Sequence, residues 1–188
     1  MSHFKKMLLL VLPLMICGCH EGEKTAVPQT LSNVSVRASY APSAKFLSGG
    51  KYAFVTSPSD SEEGSEAALI YQRIQKALTK ELKSKGYKPG QYTDVSLFVA
   101  YTVGLQQEIN VLTAKSKVQG NDWITAMIVP NDYVTGALLV QVVDAKSLEP
   151  VWLGIVNADV TIAAVSEREK RERIGYAVHE LLKGFPPK

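Results

Sequence analysis

The chain has 188 residues, 46% of them apolar, with 21 basic against 18 acidic side chains and a mean hydropathy of 0.00. That size and balance suit one domain with its own core, and the charge surplus is too small to single out nucleic acid or anionic membrane as a partner. The two cysteines, Cys17 and Cys19, stand two residues apart behind an apolar run, so their chemistry depends on what that run is.

Lys5 and Lys6 are followed by ten uncharged residues, 7–16, and then by the small residue Gly18. This order of basic, apolar and small residues is that of a secretory signal peptide. A bilayer-spanning helix needs about 20 apolar residues, and Pro13 would kink even this shorter one. The tetrapeptide Ile16-Cys17-Gly18-Cys19 resembles the lipobox of bacterial lipoproteins. The alternative is an ordinary cleavage site with two unrelated cysteines. Membership of the lipoprotein class implies cleavage behind Gly18, diacylglycerol on the Cys19 thiol and a third acyl chain on the new amino group. Three chains exceed what stable anchoring requires, at about 0.8 kcal/mol per buried methylene. The mature chain would then keep no free thiol and no internal disulfide, and would carry only one more basic than acidic residue.

Residues 20–33 are polar, contain Pro28 and show no period of 2 or 3.6, which predicts a tether. Extended, it reaches roughly 45 Å, and as a coil nearer 20 Å. The expected organisation is therefore a signal peptide over 1–18, a lipidated Cys and tether over 19–33, and one domain over 34–188.

Within the domain, alternation over residues 34–40 predicts a first strand, and residues 52–56 a second after the turn signals Pro42 and Ser48-Gly49-Gly50. Residues 57–65 read as a loop. From Glu66, Ile70, Ile74, Leu78 and Leu82 recur every fourth residue, the stripe of an amphipathic helix that Lys83, Lys85 and Gly86 would end. Residues 95–105 alternate as a long strand. Residues 136–143 and 151–160 form a strand pair around a hairpin loop. Ser166 and Glu169 suit the start of a final helix stopped by Gly184 and Pro186. Residues 108–132, with Trp123 and the apolar run 124–129, fit either a strand or a flap. The pattern predicts an α+β domain: a single, mainly antiparallel sheet with two helices packed on one face.

These elements carry a familiar wording. Tyr40-Ala-Pro-Ser-Ala-Lys-Phe46 with Lys51-Tyr52-Ala53-Phe54, Lys85-Gly86-Tyr87, Asp94-Val-Ser-Leu-Phe-Val-Ala-Tyr101, Gly136-Ala-Leu-Leu-Val-Gln-Val-Val-Asp144 before Val151-Trp152-Leu-Gly154, and Gly184-Phe185-Pro186-Pro187 follow one another in order. Together they resemble the bacterial lipoprotein family catalogued as domain of unknown function 4136. The family often has Trp where this chain has Phe54 and an apolar residue where it has Ser96. The resemblance implies an envelope lipoprotein with an α+β domain and supplies no reaction.

Catalytic and metal chemistry is weakly marked. There is no Gly-x-Ser-x-Gly elbow, and a lipidated Cys19 cannot be a nucleophile. The mature histidines are His20 in the tether and His179 on the last helix, where a surface or core-edge role fits better than that of a general base. No zinc spacing exists, and Asn121-Asp122 with Asn131-Asp132 suit turns better than a calcium loop, so no metal and no cofactor are expected. Ser48-Gly49-Gly50-Lys51 leads into a strand and lacks the spacing of a phosphate loop. The run 167–173 alternates in sign, as paired charges on a solvated helix face do. Trp152, with Tyr101 and Phe98, fits core better than a groove for sugar or peptide. Asp144 and Asp159 flank the last hairpin and are the acidic candidates, with a turn role favoured for Asp144.

The expected function is thus a non-catalytic binding or scaffolding module of the cell envelope, with a protein partner and no nucleic acid. The second hypothesis is a hydrolase of cell-wall or lipid substrates working through Asp144 and Asp159. His20 rather than Asp after the acylated Cys implies, by the enterobacterial sorting rule, the outer membrane with the domain facing the periplasm. A search for a pocket would begin at residues 108–133.

Overall fold

The computed structural model describes residues 34–46, 49–55, 64–105, 135–159 and 166–186. Eight elements occur there in the order β1 (Ser35–Tyr40), β2 (Lys51–Phe54), α1 (Glu66–Ser84), β3 (Lys88–Pro89), β4 (Leu97–Leu105), β5 (Thr135–Asp144), β6 (Pro150–Asp159) and α2 (Glu167–Leu182). The strands form one six-stranded sheet in the order β1-β6-β5-β4-β2-β3.

The α+β class holds, but the sheet is mixed rather than mainly antiparallel. β1, β6, β5 and β4 pair antiparallel, whereas β2 runs parallel to both β4 and β3. The cause lies in chain order. A helix interposed between β2 and its neighbours returns the chain to the starting end of the sheet, which makes the next strand parallel. β3 itself, two residues long, was not expected: Lys88 N–H bonds Gly50 O at 3.1 Å and Gly90 N–H bonds Tyr52 O at 2.9 Å.

Both helices start and stop on local chemistry. Ser65 Oγ accepts from Ala68 N–H at 3.2 Å and Ser166 Oγ from Glu169 N–H at 3.2 Å, each satisfying an otherwise orphaned donor. α1 ends where Gly86 takes φ 86°, a conformation glycine enters at no steric cost. Tyr87 N–H then reaches Leu82 O, and Gly86 N–H reaches Lys83 O, both at 3.0 Å.

The helices cover one face of the sheet. Ile74, Leu78 and Leu82 of α1 and Val178, Leu181 and Leu182 of α2 meet Tyr52, Leu97, Val99, Tyr101, Leu138, Val140, Val142, Trp152 and Val156 in one core. Trp152 is fully enclosed, and its ring lies 5.3 Å from Phe185. That placement depends on Gly154. A Cβ there would stand 2.3 Å from Trp152 Cη2 and 2.8 Å from Leu181 Cδ1, so the indole and the helix occupy the room a side chain would take. On the opposite face Ala137, Leu139, Leu153 and Ile155 form a second, smaller buried cluster.

The seam between α1 and α2 is polar at its margins. Arg73 pairs with Glu167, Lys170 Nζ meets Glu66 Oε1 at 2.7 Å, and His179 Nδ1 meets Glu81 Oε2 at 3.2 Å. The charged run of α2 also pairs along its own helix, Arg168 with Glu172 and Arg173 with Glu169. It is therefore only partly the solvated face expected of it.

Candidate functional site

Among the described residues, the candidate site is the β1 margin, one edge of the sheet. Ala41 N–H bonds Val151 O at 3.0 Å, and β1 pairs with β6 in the register Ser35 to Asn157 through Tyr40 to Trp152. In an antiparallel ladder, alternate residues turn both main-chain groups toward the partner strand and the rest turn them away. With Ala41 facing β6, so do Ser39, Arg37 and Ser35. The N–H and C=O groups of Val36, Ala38 and Tyr40 therefore point outward along roughly 13 Å of strand. Val36 and Tyr40 are also exposed apolar side chains, at 38% and 47%. The opposite margin, β3, is blunted: it is two residues long and contains Pro89, which has no N–H to offer.

The acidic candidates fall apart geometrically. Asp144 Oδ1 accepts from Lys146 N–H at 3.0 Å, Ser147 N–H at 2.8 Å and Ser147 Oγ at 3.1 Å, while Leu148 N–H bonds Asp144 O. The Ser147 N–H above all, against some opposing burial, holds the Asp144 carboxyl below its usual range. This is a carboxylate that shapes a turn. The backbone of Asp159 pairs with Thr135 at the other end of the hairpin, nine residues along β5 from Asp144, which is about 30 Å. Paired carboxylates that cleave one glycosidic bond stand within about 10 Å of each other. These two do not form such a pair.

The aromatic candidates are divided between the two faces. Trp152 and Tyr101 lie in the helix-side core, and Phe98 turns to the other face, where it stacks at 5.9 Å on Tyr92. They line no common groove. Tyr101 Oη donates to Tyr71 O at 3.2 Å, and burial, with Tyr71 beside it, pushes its phenol up to about 12. His179 sits at the helix seam on Glu81, consistent with a core-edge residue. Cys19, Gly18, His20, the pairs 121–122 and 131–132, and residues 108–133 lie outside the described residues.

One polar group escaped the sequence reading. Asn157 is 5% exposed on the face opposite the helices, and among the described residues neither its Oδ1 nor its Nδ2 finds a hydrogen-bond partner. Its surroundings come from register: Ser35 on one side and Ala137 on the other. No period in the sequence marks it, because it continues an alternation begun by Leu153 and Ile155. Among the described residues no group of three or more His, Cys, Asp or Glu side chains could hold a metal ion, and no helix is long and apolar enough to cross a membrane.

The architecture has a distant counterpart. The chain is similar to a PDZ domain protein from Parabacteroides distasonis, with a TM-score of 0.51 at 12% identity over 85% of this chain, and it spans 37% of that protein's length. It is also similar to PelC from Paraburkholderia phytofirmans, solved as a dodecamer, with a TM-score of 0.44 at 9% identity, covering 80% of this chain and 95% of that one. At 12% identity the likeness to the PDZ domain protein concerns the fold alone. No curated protein matches the chain. The model of one family does match, across β1, the mixed sheet and both helices, from residue 36 to residue 187: the chain belongs to the family described as Domain of unknown function (DUF4136).

Proposed function

We propose that this protein is a lipid-anchored component of the bacterial cell envelope whose α+β domain binds other proteins without catalysis, by accepting an extended segment along β1. The observation that carries the reading is the open β1 margin, with the main-chain groups of Val36, Ala38 and Tyr40 turned outward and apolar side chains beside them. Strand addition of this kind draws affinity from main-chain hydrogen bonds and specificity from alternate side chains. The lipobox-like Ile16-Cys17-Gly18-Cys19 supports the anchor, with acylation of Cys19 after cleavage behind Gly18. The residue that follows, His20, favours the outer membrane with the domain in the periplasm.

The test is site-specific photo-crosslinking from Val36 and Tyr40 in intact envelopes. A discrete partner should be captured from both positions. Val36→Pro removes an outward N–H and no ladder bond to β6, so it should abolish capture from Tyr40 while leaving the melting temperature within a few degrees. Crosslinks that survive Val36→Pro, or none above those from an exposed position on the hairpin loop such as Lys146, would sink the reading.

A further inference from the structure

The two helices manage their outward charges differently. On α2, acids and bases are interleaved and neutralise each other: Arg168 with Glu172, Arg173 with Glu169, Lys183 with Glu180. On α1 they are segregated. Its acids are Glu66 and Glu81, and both turn to α2, onto Lys170 and His179. With 3.6 residues per turn, Leu69, Gln72, Lys76, Lys80 and Lys83 fall within about 80° of arc, on the side away from Ile74, Leu78 and Leu82. All five are exposed. The three lysines have no ion-pair partner among the described residues, and Leu69 leaves 40% of its surface in water at the N-terminal end of the same stripe.

An α1 stabilised only from within would gain from a glutamate opposite one of these lysines, since (i, i+4) pairs add a few tenths of a kcal/mol. The stripe instead presents a single sign of charge, three ammonium groups spaced along some 10 Å of helix, with an apolar residue at one end. That is the chemistry of a surface fitted to closely spaced phosphates beside hydrocarbon. We infer that the outward face of α1, through Lys76, Lys80 and Lys83 with Leu69 as apolar foot, lays the domain against anionic phospholipid headgroups of the membrane that holds its anchor. The inference rests on the lipid-anchor reading above. An anchor supplies the proximity, and each lysine then adds roughly fivefold to the docked population at low salt. Attraction of this kind is screened over about 10 Å at 0.1 M salt, so docking would be reversible by ionic strength while the acyl anchor would not.

The full chain, purified from membranes, is placed in vesicles of phosphatidylcholine with or without phosphatidylglycerol. Amine-labelling rates are then read residue by residue, with Lys146 and Lys183 as internal references. Phase partitioning into detergent reports the anchor separately. Lys76, Lys80 and Lys83 should label several-fold more slowly in the anionic vesicles, recover at high salt, and leave the references unchanged. In Lys76→Gln/Lys83→Gln, both exposed positions, Lys80 remains as reporter and its protection should fall nearly to the zwitterionic level. Equal labelling in the two vesicles, or protection that survives the double substitution, overturns the docking. An anchored chain without protection leaves the anchor standing and removes the docking; an unanchored chain protected only by anionic vesicles does the reverse. Protection found in whole envelopes but not in anionic vesicles would assign the face to a protein and overturn the lipid proposal.

Discussion

Gly154 and Trp152 divide one space between them. The indole lies back along β6 over the position where residue 154 would carry its side chain, with Leu181 of α2 closing the remaining room. Gly154→Ala should therefore cost about 3 kcal/mol or more, since the enclosed indole on one side and the buried Leu181 on the other leave little room to move. Denaturant unfolding measures this, and a loss below 1 kcal/mol would show that the indole can swing aside. Tyr101 makes a second prediction. Its phenol is raised in the folded chain relative to an ordinary 10, so the stability it contributes is complete below pH 10 and is lost as pH climbs through the folded value near 12. Burial raises Tyr52 and Tyr87 in the same direction. The domain should lose on the order of 2 kcal/mol between pH 10 and 12 on account of Tyr101, and Tyr101→Phe should blunt that part of the fall. Residue identity did signal some of this. Trp152 in an apolar alternation could be assigned to the core, and Asp144 before Lys146 and Ser147 to a turn. That Gly154 exists to seat Trp152 was not legible, because a glycine in a strand looks the same whether it bends the strand or makes room for a neighbour.

At the scale of elements, the seam between α1 and α2 repays attention to exposure. Arg73 keeps only 13% of its side chain in water and Glu167 57%, so their pair is half in solvent. Glu167→Gln should change stability by no more than about 0.5 kcal/mol, whereas Arg73→Ala should cost about 1–2 kcal/mol through its buried stem. Thermal melts of the two variants distinguish packing from charge: equal losses would mean that the pair, not the stem, matters. The helices themselves were readable from the spacing of Ile70, Ile74, Leu78 and Leu82 and from the capping residues Ser166 and Gly86, since these signals are local. The run 167–173 was readable as paired charge but not as a seam, because Glu66 and Arg73 lie roughly a hundred positions away. β3 was invisible for a related reason. Two residues carry no period, and Lys88 and Pro89 become a strand only because β2 offers a free margin beside them.

For the molecule as a whole, the decisive reading concerns where the chain resides. Cys19→Ala should release it from membranes or leave its signal uncut, and Cys17→Ala should change neither; fractionation with high-salt and detergent extraction reports both outcomes. A Cys19→Ala chain that remains firmly membrane-bound after its signal is removed would refute acylation at that residue. Five of the six described strands and the placement of both helices followed from patterning, but β3 and the mixed pairing did not, because alternation in β2 and β4 reads alike in either direction. The same limit applied to Asp144 and Asp159. Fifteen positions of sequence hide whether a hairpin brings two residues together or holds them at its opposite ends, and here the backbone register holds them apart.

β1 also sets how the domain would bear load. The described chain enters it at the very margin of the sheet, one residue before the six-residue ladder to β6 begins. Tension applied from the N-terminal side is thus taken first by that single ladder, which would open from its end like a seam while the core behind it stayed intact. A segment bound alongside β1 would double the stitching at this weakest line, so occupancy of the margin and resistance to pulling would rise together.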